Sequence, residues 1–116
     1  MSGTTIYGIK NCNTMQKAMA WLDTHSIAYI FHDYKKQGAD EAILKEAIAT
    51  HGWETVINKK GMTWPNLPDE AKTSMNERKA IETALDNPSI IKRPLLAHEG
   101  KTYLGFDEAV YQTIFN

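Results

Sequence analysis

The sequence contains only one cysteine and no long apolar run. Cys12 is the single cysteine among 116 residues, so a disulfide within the chain and a multi-cysteine zinc or iron–sulfur site are both excluded. No segment approaches the roughly 20 apolar residues that cross a bilayer, and the N-terminal residues lack the features of a signal peptide. We therefore expect a soluble cytoplasmic protein with no membrane partner.

A basic excess is also missing. The chain has 13 Lys and Arg residues against 14 Asp and Glu residues, which gives a formal net charge of −1 at pH 7. Direct binding of nucleic acid is therefore not expected. The histidines show no metal-ligand spacing, so no metal site is expected; they are His25, His32, His51 and His98.

The N-terminal third predicts a βαβ unit. Residues 4–9 are β-branched and aromatic, as in a strand, and residues 28–34 have the same character. Between them, an apolar repeat at i, i+3, i+4 and i+7 predicts an amphipathic helix with Asn13 or Thr14 as its N-cap. That repeat consists of Met15, Ala18, Met19 and Leu22. A helix-length crossover between two strands normally makes the strands parallel.

The middle of the chain predicts helices, and its end predicts strands. Asp40 opens a helix that ends near residues 51–52, and further helices are expected at 53–57 and 76–85, with mostly loop at 58–68. The C-terminal part predicts a β-hairpin that turns at Glu99 and Gly100, followed by a helix; these segments are 94–97, 102–104 and 107–115.

Together these segments predict an α/β fold in one domain, residues 1–116. The expected architecture is a four-stranded mixed sheet covered by helices and interrupted by a helical insertion. We place the core at about 1–34 and 88–116, and the insertion at about 35–87.

Cys12 lies between the first predicted strand and the helix that follows. Unpaired N–H groups at a helix N-terminus, here those of Asn13, Thr14 and Met15, lower the pKa of a nearby thiol and also suit a substrate oxyanion. The flanking residues are polar, which favours a reactive thiol over a buried inert one. Lys10 is a further cation nearby in the sequence.

Two familiar cysteine motifs are absent. A C-x-x-C dithiol needs a second cysteine at position 15, which is Met15, so any turnover has to use one thiol. A phosphatase-type loop needs an arginine six residues after the cysteine, and that position is Ala18.

The remaining candidate site residues are cations. Only two arginines occur, and Arg78 fits a solvated helix entrance. Arg93 directly precedes Pro94 in an extended position, where a guanidinium could face an anion or the Cys12 thiolate; a surface ion pair is the alternative. Lys59 and Lys60 form a second cationic cluster, for which a solvated loop is the alternative.

Four blocks resemble the ArsC-like family, which comprises glutaredoxin-coupled arsenate reductases, Spx regulators and the YffB group. The resemblance covers nearly the whole chain and is nearest to the YffB group. The blocks are YGIKNCNT at 7–14 with Lys17-Ala18 following, NKKGMTW at 58–64, IKRP at 91–94 and Gly105-Phe106.

This resemblance implies a thioredoxin-like fold with a helical insertion. It also implies that Cys12 is the nucleophile, that Arg93 lowers its pKa or binds the anion, and that Pro94 follows a cis peptide bond facing the cysteine. Arsenate reductases of the family use three arginines, whereas two of those positions are Asn58 and Gly105 here. Little arsenate reduction is therefore expected.

The leading hypothesis is a glutathione-dependent monothiol reductase in which glutathione or a glutaredoxin resolves the Cys12 intermediate. Arg93 and Cys12 are its catalytic residues. The residues predicted to bind glutathione or substrate are Lys10, Asn11, Asn13, Thr14, Lys59, Lys60 and Pro94. The alternatives are an Spx-like interaction module that binds a protein such as RNA polymerase, and a weak arsenate reductase. Spx regulators usually carry the C-x-x-C pair that Met15 interrupts.

Overall fold

The computed structural model describes residues 3–116. The chain forms two compact units. The first, called the sheet unit, contains the residues up to Asp33 together with Arg93–Asn116. The second, called the helical unit, contains Tyr34–Lys92. Each unit is described by itself below.

The sheet unit contains four strands and two helices. The strand order is β2-β1-β3-β4, with β1 parallel to β2 and the other neighbours antiparallel. The strands are β1 (Thr4–Gly8), β2 (Ile30–Asp33), β3 (Leu95–His98) and β4 (Lys101–Leu104), and the helices are α1 (Asn13–Thr24) and α7 (Glu108–Ile114). The sheet is therefore mixed, as the sequence predicts, and the fold is thioredoxin-like.

The central strand β1 joins the parallel and antiparallel halves of the sheet. Its Ile6 lies opposite Phe31 of β2 and Leu96 of β3, and Ile6 and Leu96 are fully buried. The β3–β4 hairpin turns at Glu99 and Gly100, both with positive φ (50° and 80°). Two positive φ values fit the right-handed twist of a two-residue hairpin, and Gly100 adopts one of them without strain.

Helix α1 packs its apolar side against the sheet. Its buried residues recur with helical spacing, and they join residues of β1, β3 and α7 in the core of the sheet unit. The buried members of that core are Ile6, Met15, Ala18, Trp21, Leu22, Leu96 and Tyr111. Met19, the remaining member of the predicted repeat, is half-buried against it.

Several predicted element ends differ from the structure by one or two residues, and two of these differences lie beside β1. Cys12 itself occupies the N-cap position of α1, so the prediction of Asn13 or Thr14 as the cap was wrong. Strand β2 is also shorter than predicted, because Tyr34 already begins the next helix and its ring is buried. Local residue preferences predicted neither boundary, because cysteine is not a usual N-cap residue and the burial of Tyr34 is a tertiary contact.

The helical unit contains five α-helices: α2 (Tyr34–Gln37), α3 (Glu41–His51), α4 (Trp53–Val56), α5 (Asp69–Thr73) and α6 (Glu77–Asp86). Asp40 caps α3 by accepting from Ile43 N at 3.1 Å, and Asn76 caps α6 by accepting from Lys79 N at 2.9 Å. The sequence did not predict α2 and α5, whose four and five residues show no apolar repeat. No helix within residues 3–116 is long and apolar enough to cross a membrane.

Candidate active site

Cys12 lies where the chain passes from β1 into α1. Its backbone is extended (φ −112°, ψ 127°), and its carbonyl oxygen accepts the first helical hydrogen bond, from Gln16 N at 2.9 Å. The side chain is half-buried and packs against the core of the sheet unit. The sulfur therefore stands at the positive end of the α1 dipole while remaining accessible.

The surroundings of the sulfur lower its pKa. Partial burial is the largest single influence and raises the pKa of the Cys12 thiol. Hydrogen bonding from the backbone N–H of Met15, from the Arg93 side chain and from the N–H of Thr14 lowers the pKa, as does the positive charge of Arg93. Together these donors outweigh burial, and the pKa lies below its ordinary value. The thiolate population at neutral pH rises accordingly.

Arg93 meets Cys12 at one end of the sheet, because it precedes β3, whose first residue Leu95 lies opposite Tyr7 near the end of β1. It is half-buried and immediately precedes the cis peptide bond to Pro94, which the resemblance implies. Pro94 is buried, and its carbonyl oxygen accepts from the backbone N–H of Gly105 at 2.9 Å. Cys12, Arg93 and Gly105, which lie in separate sequence blocks, are thus linked through contacts within one unit.

The predicted rim residues flank the cysteine. The side chains of Lys10, Asn11 and Asn13 are exposed and that of Thr14 is half-buried. The Lys10 carbonyl oxygen accepts from the Gln16 side chain at 3.4 Å. These residues offer polar, accessible groups next to Cys12 in the chain, and their role as a binding rim stays a prediction.

The predicted cations Lys59 and Lys60 lie in the helical unit and differ in their surroundings. The Lys59 ammonium is 3.2 Å from a Glu54 carboxylate oxygen, and it lies 5.0 Å and 5.3 Å from the ring centroids of Trp53 and Trp64. The Lys60 side chain is exposed, and its backbone N–H donates to the Asn58 side chain at 3.1 Å. Of the two lysines, Lys60 therefore presents the more accessible charge.

Histidines take structural positions in the sheet unit. The His25 ring stacks on Trp21 at 3.9 Å, and His98 Nδ1 lies 2.7 Å from the Thr4 hydroxyl. Within residues 3–116, no three His, Cys, Asp or Glu side chains are grouped closely enough to hold a metal ion.

Some residues around these groups were not singled out from the sequence. Gly8 packs directly against Met15, and Glu54, Trp53 and Trp64 surround the Lys59 ammonium. For the first contact, the available signal was Gly8 itself, a glycine within the predicted strand and four residues before Cys12. The second depends on a loop fold that no local pattern predicts.

The fold and the site define a class of protein: a thioredoxin-like fold with a half-buried cysteine of lowered pKa at a helix N-terminus. The ArsC family model matches residues 7–114, so the chain belongs to the ArsC family. It is 41% identical over 111 residues to an uncharacterised protein of Haemophilus influenzae, covering 96% of this chain and 97% of that protein. The solved structure of a YffB protein superposes with a TM-score of 0.92 at 47% identity, covering 95% of this chain and 96% of the other.

A more distant relative has a different described role. The global transcriptional regulator Spx of Streptococcus agalactiae is 26% identical over 109 residues, covering 90% of this chain and 77% of the regulator. The family therefore includes at least one protein described as a regulator, so membership alone does not assign a reaction to this chain.

Proposed function

We propose that this protein is a monothiol reductase of the cytoplasm that uses glutathione as co-substrate and Cys12 as nucleophile. The observation that carries the proposal is the position of Cys12 at the N-cap of α1 with the Arg93 side chain beside it. Both features stabilise a thiolate, which is the attacking form in thiol–disulfide exchange.

The proposed cycle has two exchange steps. The Cys12 thiolate attacks the glutathione sulfur of a mixed disulfide, so a Cys12–glutathione disulfide forms and the substrate leaves as a thiolate that takes a proton from water. A second thiolate, from free glutathione or a glutaredoxin, then attacks the glutathione sulfur and releases Cys12. One disulfide is broken and one is formed: the substrate leaves as a thiol, and the external thiol forms a disulfide with the glutathione that the substrate carried.

An external thiol is required because Cys12 is the only cysteine in the chain. The position of a second thiol in a C-x-x-C pair belongs to Met15, whose side chain is completely buried. No group of this chain can therefore displace glutathione from Cys12 by exchange.

Glutathione carries two carboxylates, and the sheet unit offers cationic and N–H groups to bind them. Arg93 and the N-terminus of α1 suit a carboxylate, and Lys10, Asn11, Asn13, Thr14 and Pro94 would form the rim around the peptide. For Lys59 and Lys60 of the helical unit, glutathione binding stays a prediction. Lys60 is the better candidate of the two, because the ammonium of Lys59 already lies beside a carboxylate and two indole rings.

The test is a coupled assay with a glutathionylated peptide, free glutathione, glutathione reductase and NADPH. Cys12→Ser is expected to reduce turnover to the uncatalysed background, because a hydroxyl of ordinary pKa cannot take part in the exchange. A thermal unfolding scan shows whether the variant remains folded. Turnover in folded Cys12→Ser equal to the wild type would refute the proposal.

The second candidate is an interaction module, which the similarity to Spx favours. Such a module would bind a protein partner, RNA polymerase being the first to test, through its folded surface. Binding that persists in Cys12→Ser, together with an alkylation midpoint near that of a free thiol in the wild type, would support the module over the reductase.

Arsenate reduction is the third candidate, and we expect a low rate. Only Arg93 is present of the three arginines that the resemblance associates with arsenate, since Asn58 and Gly105 stand at the other two positions. Arsenate with glutathione and a glutaredoxin in the same coupled assay measures this activity directly.

A further inference from the structure

Gly8 and Met15 are in close contact between β1 and α1. Gly8 is the last residue of β1, and Met15 lies in the first turn of α1. Both are buried, Met15 completely. A Cβ atom on Gly8 would overlap the Met15 thioether, with the methyl carbon at 2.8 Å and the sulfur closer still. The Met15 side chain therefore occupies the space that a side chain at position 8 would need.

The backbone conformation of Gly8 does not by itself require glycine. Gly8 lies in a regular parallel pair opposite Asp33, and it is not among the glycines with positive φ, which are Gly38, Gly52, Gly100 and Gly105. A residue with a side chain could adopt this strand geometry without strain. A Cβ atom at this position would instead require the Met15 thioether to move.

Met15 also contacts the nucleophile through its backbone. Met15 is the third residue of α1, and its backbone N–H is among the groups that lower the pKa of the Cys12 thiol, while its side chain packs on β1. The same residue is thus held from one side by the strand and faces the sulfur on the other. Because Met15 is completely buried, its thioether can make room for an added Cβ atom only by displacing neighbouring core atoms, and we expect part of that shift to reach the first turn of α1.

We propose that Gly8 is a positioning residue for Cys12, because it lets Met15 pack against β1 and so fixes the first turn of α1 against the sulfur. This inference rests on the proposed function, because it concerns the reactivity of the proposed nucleophile. It predicts that a methyl group at position 8 impairs Cys12 without touching it.

The test is a double-mutant cycle with Gly8→Ala, Met15→Ala and the double variant. The readout is the pH dependence of Cys12 alkylation by iodoacetamide, followed by mass spectrometry. In Gly8→Ala, we expect the alkylation midpoint to rise and the rate at pH 6.5 to fall about threefold, as expected for a weakened hydrogen bond to a thiolate. In the Met15→Ala background, where the thioether is gone, adding Gly8→Ala should leave the midpoint nearly unchanged.

Gly3→Ala is the matched control. It adds the same methyl group to the sheet unit, but its nearest neighbour would be Glu99 N at 3.5 Å, an ordinary contact. Its alkylation profile should match the wild type. A merely destabilised protein would show a lower unfolding temperature in circular dichroism without a changed midpoint.

Two results would overturn the inference. One is a folded Gly8→Ala protein with the wild-type midpoint, and the other is an equal shift in both Met15 backgrounds, because Gly8 would then act by another route. If Gly8→Ala does not fold, the double variant decides: a folded double variant with the midpoint of Met15→Ala supports the inference, and an unfolded one overturns it. A wild-type midpoint near that of a free thiol would instead refute the proposed function, which is a distinguishable result.

Discussion

The sheet unit and the helical unit each contain a cation that the sequence marks as an anion ligand, and the two cations have different partners. Arg93 lies beside the Cys12 sulfur and helps to lower the pKa of that thiol. Lys59 lies beside the Glu54 carboxylate and over the rings of Trp53 and Trp64. Arg93 thus supports a reactive group, whereas the charge of Lys59 is already balanced by neighbours in its own unit.

The magnitudes explain why this difference matters. Lys59 and Glu54 are 41% and 70% exposed, so their ion pair contributes only about 0–1 kcal/mol. An exposed cation–π contact adds about 0.5–1 kcal/mol. These contacts orient the lysine but stabilise little. The interaction of Arg93 with a thiolate changes the population of the reactive species itself, so its removal should affect chemistry more than folding.

Of the changes that test this difference between the two cations, replacing Arg93 is expected to have the largest effect on Cys12. Arg93→Ala should raise the pKa of Cys12, because a guanidinium donor and its charge are lost. We expect about tenfold less thiolate at pH 6.5, and about fourfold slower alkylation, since a more basic thiolate is more nucleophilic. The Cys12 pKa in Arg93→Lys should lie between those of the wild type and Arg93→Ala, because lysine keeps the charge without the planar donor group. An unchanged iodoacetamide profile in Arg93→Ala would contradict this role.

A second prediction concerns the pH dependence of stability. The folded state lowers the pKa of Cys12, so ionisation favours folding between the folded pKa and the unfolded value of about 8.5. The stability of the wild type relative to Cys12→Ser should therefore rise as pH increases through this window. It should level off above the unfolded pKa, and it should be lost as pH falls through the folded pKa.

Urea unfolding of both proteins at a series of pH values measures this difference. The serine variant is the suitable reference because its side chain does not titrate in this range. A difference that stays constant with pH, or that falls as pH rises, would show that the folded state does not favour the thiolate.

The smallest effect is expected from Lys59. Lys59→Ala should lower the free energy of unfolding by no more than about 2 kcal/mol, since only an exposed ion pair and cation–π contacts are lost. Trp fluorescence should change, because the ammonium faces two indole rings. The alkylation profile of Lys59→Ala should match the wild type, whereas that of Arg93→Ala should be shifted. This result would show that only Arg93 of the two cations affects the reactivity of Cys12. An equal shift of the alkylation profile in Lys59→Ala and Arg93→Ala would contradict this difference between the two cations.

Much of the fold could be predicted because its signals are local. The apolar repeat of α1, the cap at Asp40 and the turn at Glu99 and Gly100 depend on residues a few positions apart, and the structure confirms all three. The short helix α5 was missed, since five residues are fewer than two helical turns and show no repeat. The N-cap of α1 was misplaced by one or two residues, because cysteine is not a usual cap.

The candidate site was only partly predictable for the same reason. The N–H donors of Thr14 and Met15 follow from the order of strand, cysteine and helix, and both act on Cys12 in the structure. Arg93 could face an anion or the thiolate, or form an ion pair on the surface; in the structure its side chain lies beside Cys12, and its catalytic role stays a prediction. Nothing in the sequence around Lys59 showed that Trp64 would face it.

By itself the sequence determined that the protein has one thiol, that the thiol lies at the start of a helix, and that no second cysteine can resolve it. These properties depend on residue identity and on local backbone preference. Only the tertiary structure decided that Arg93 faces Cys12, that Lys59 faces Glu54, and that Met15 fills the space above Gly8. Those contacts join residues distant in the chain or in different elements, and their geometry is set by packing of the whole unit.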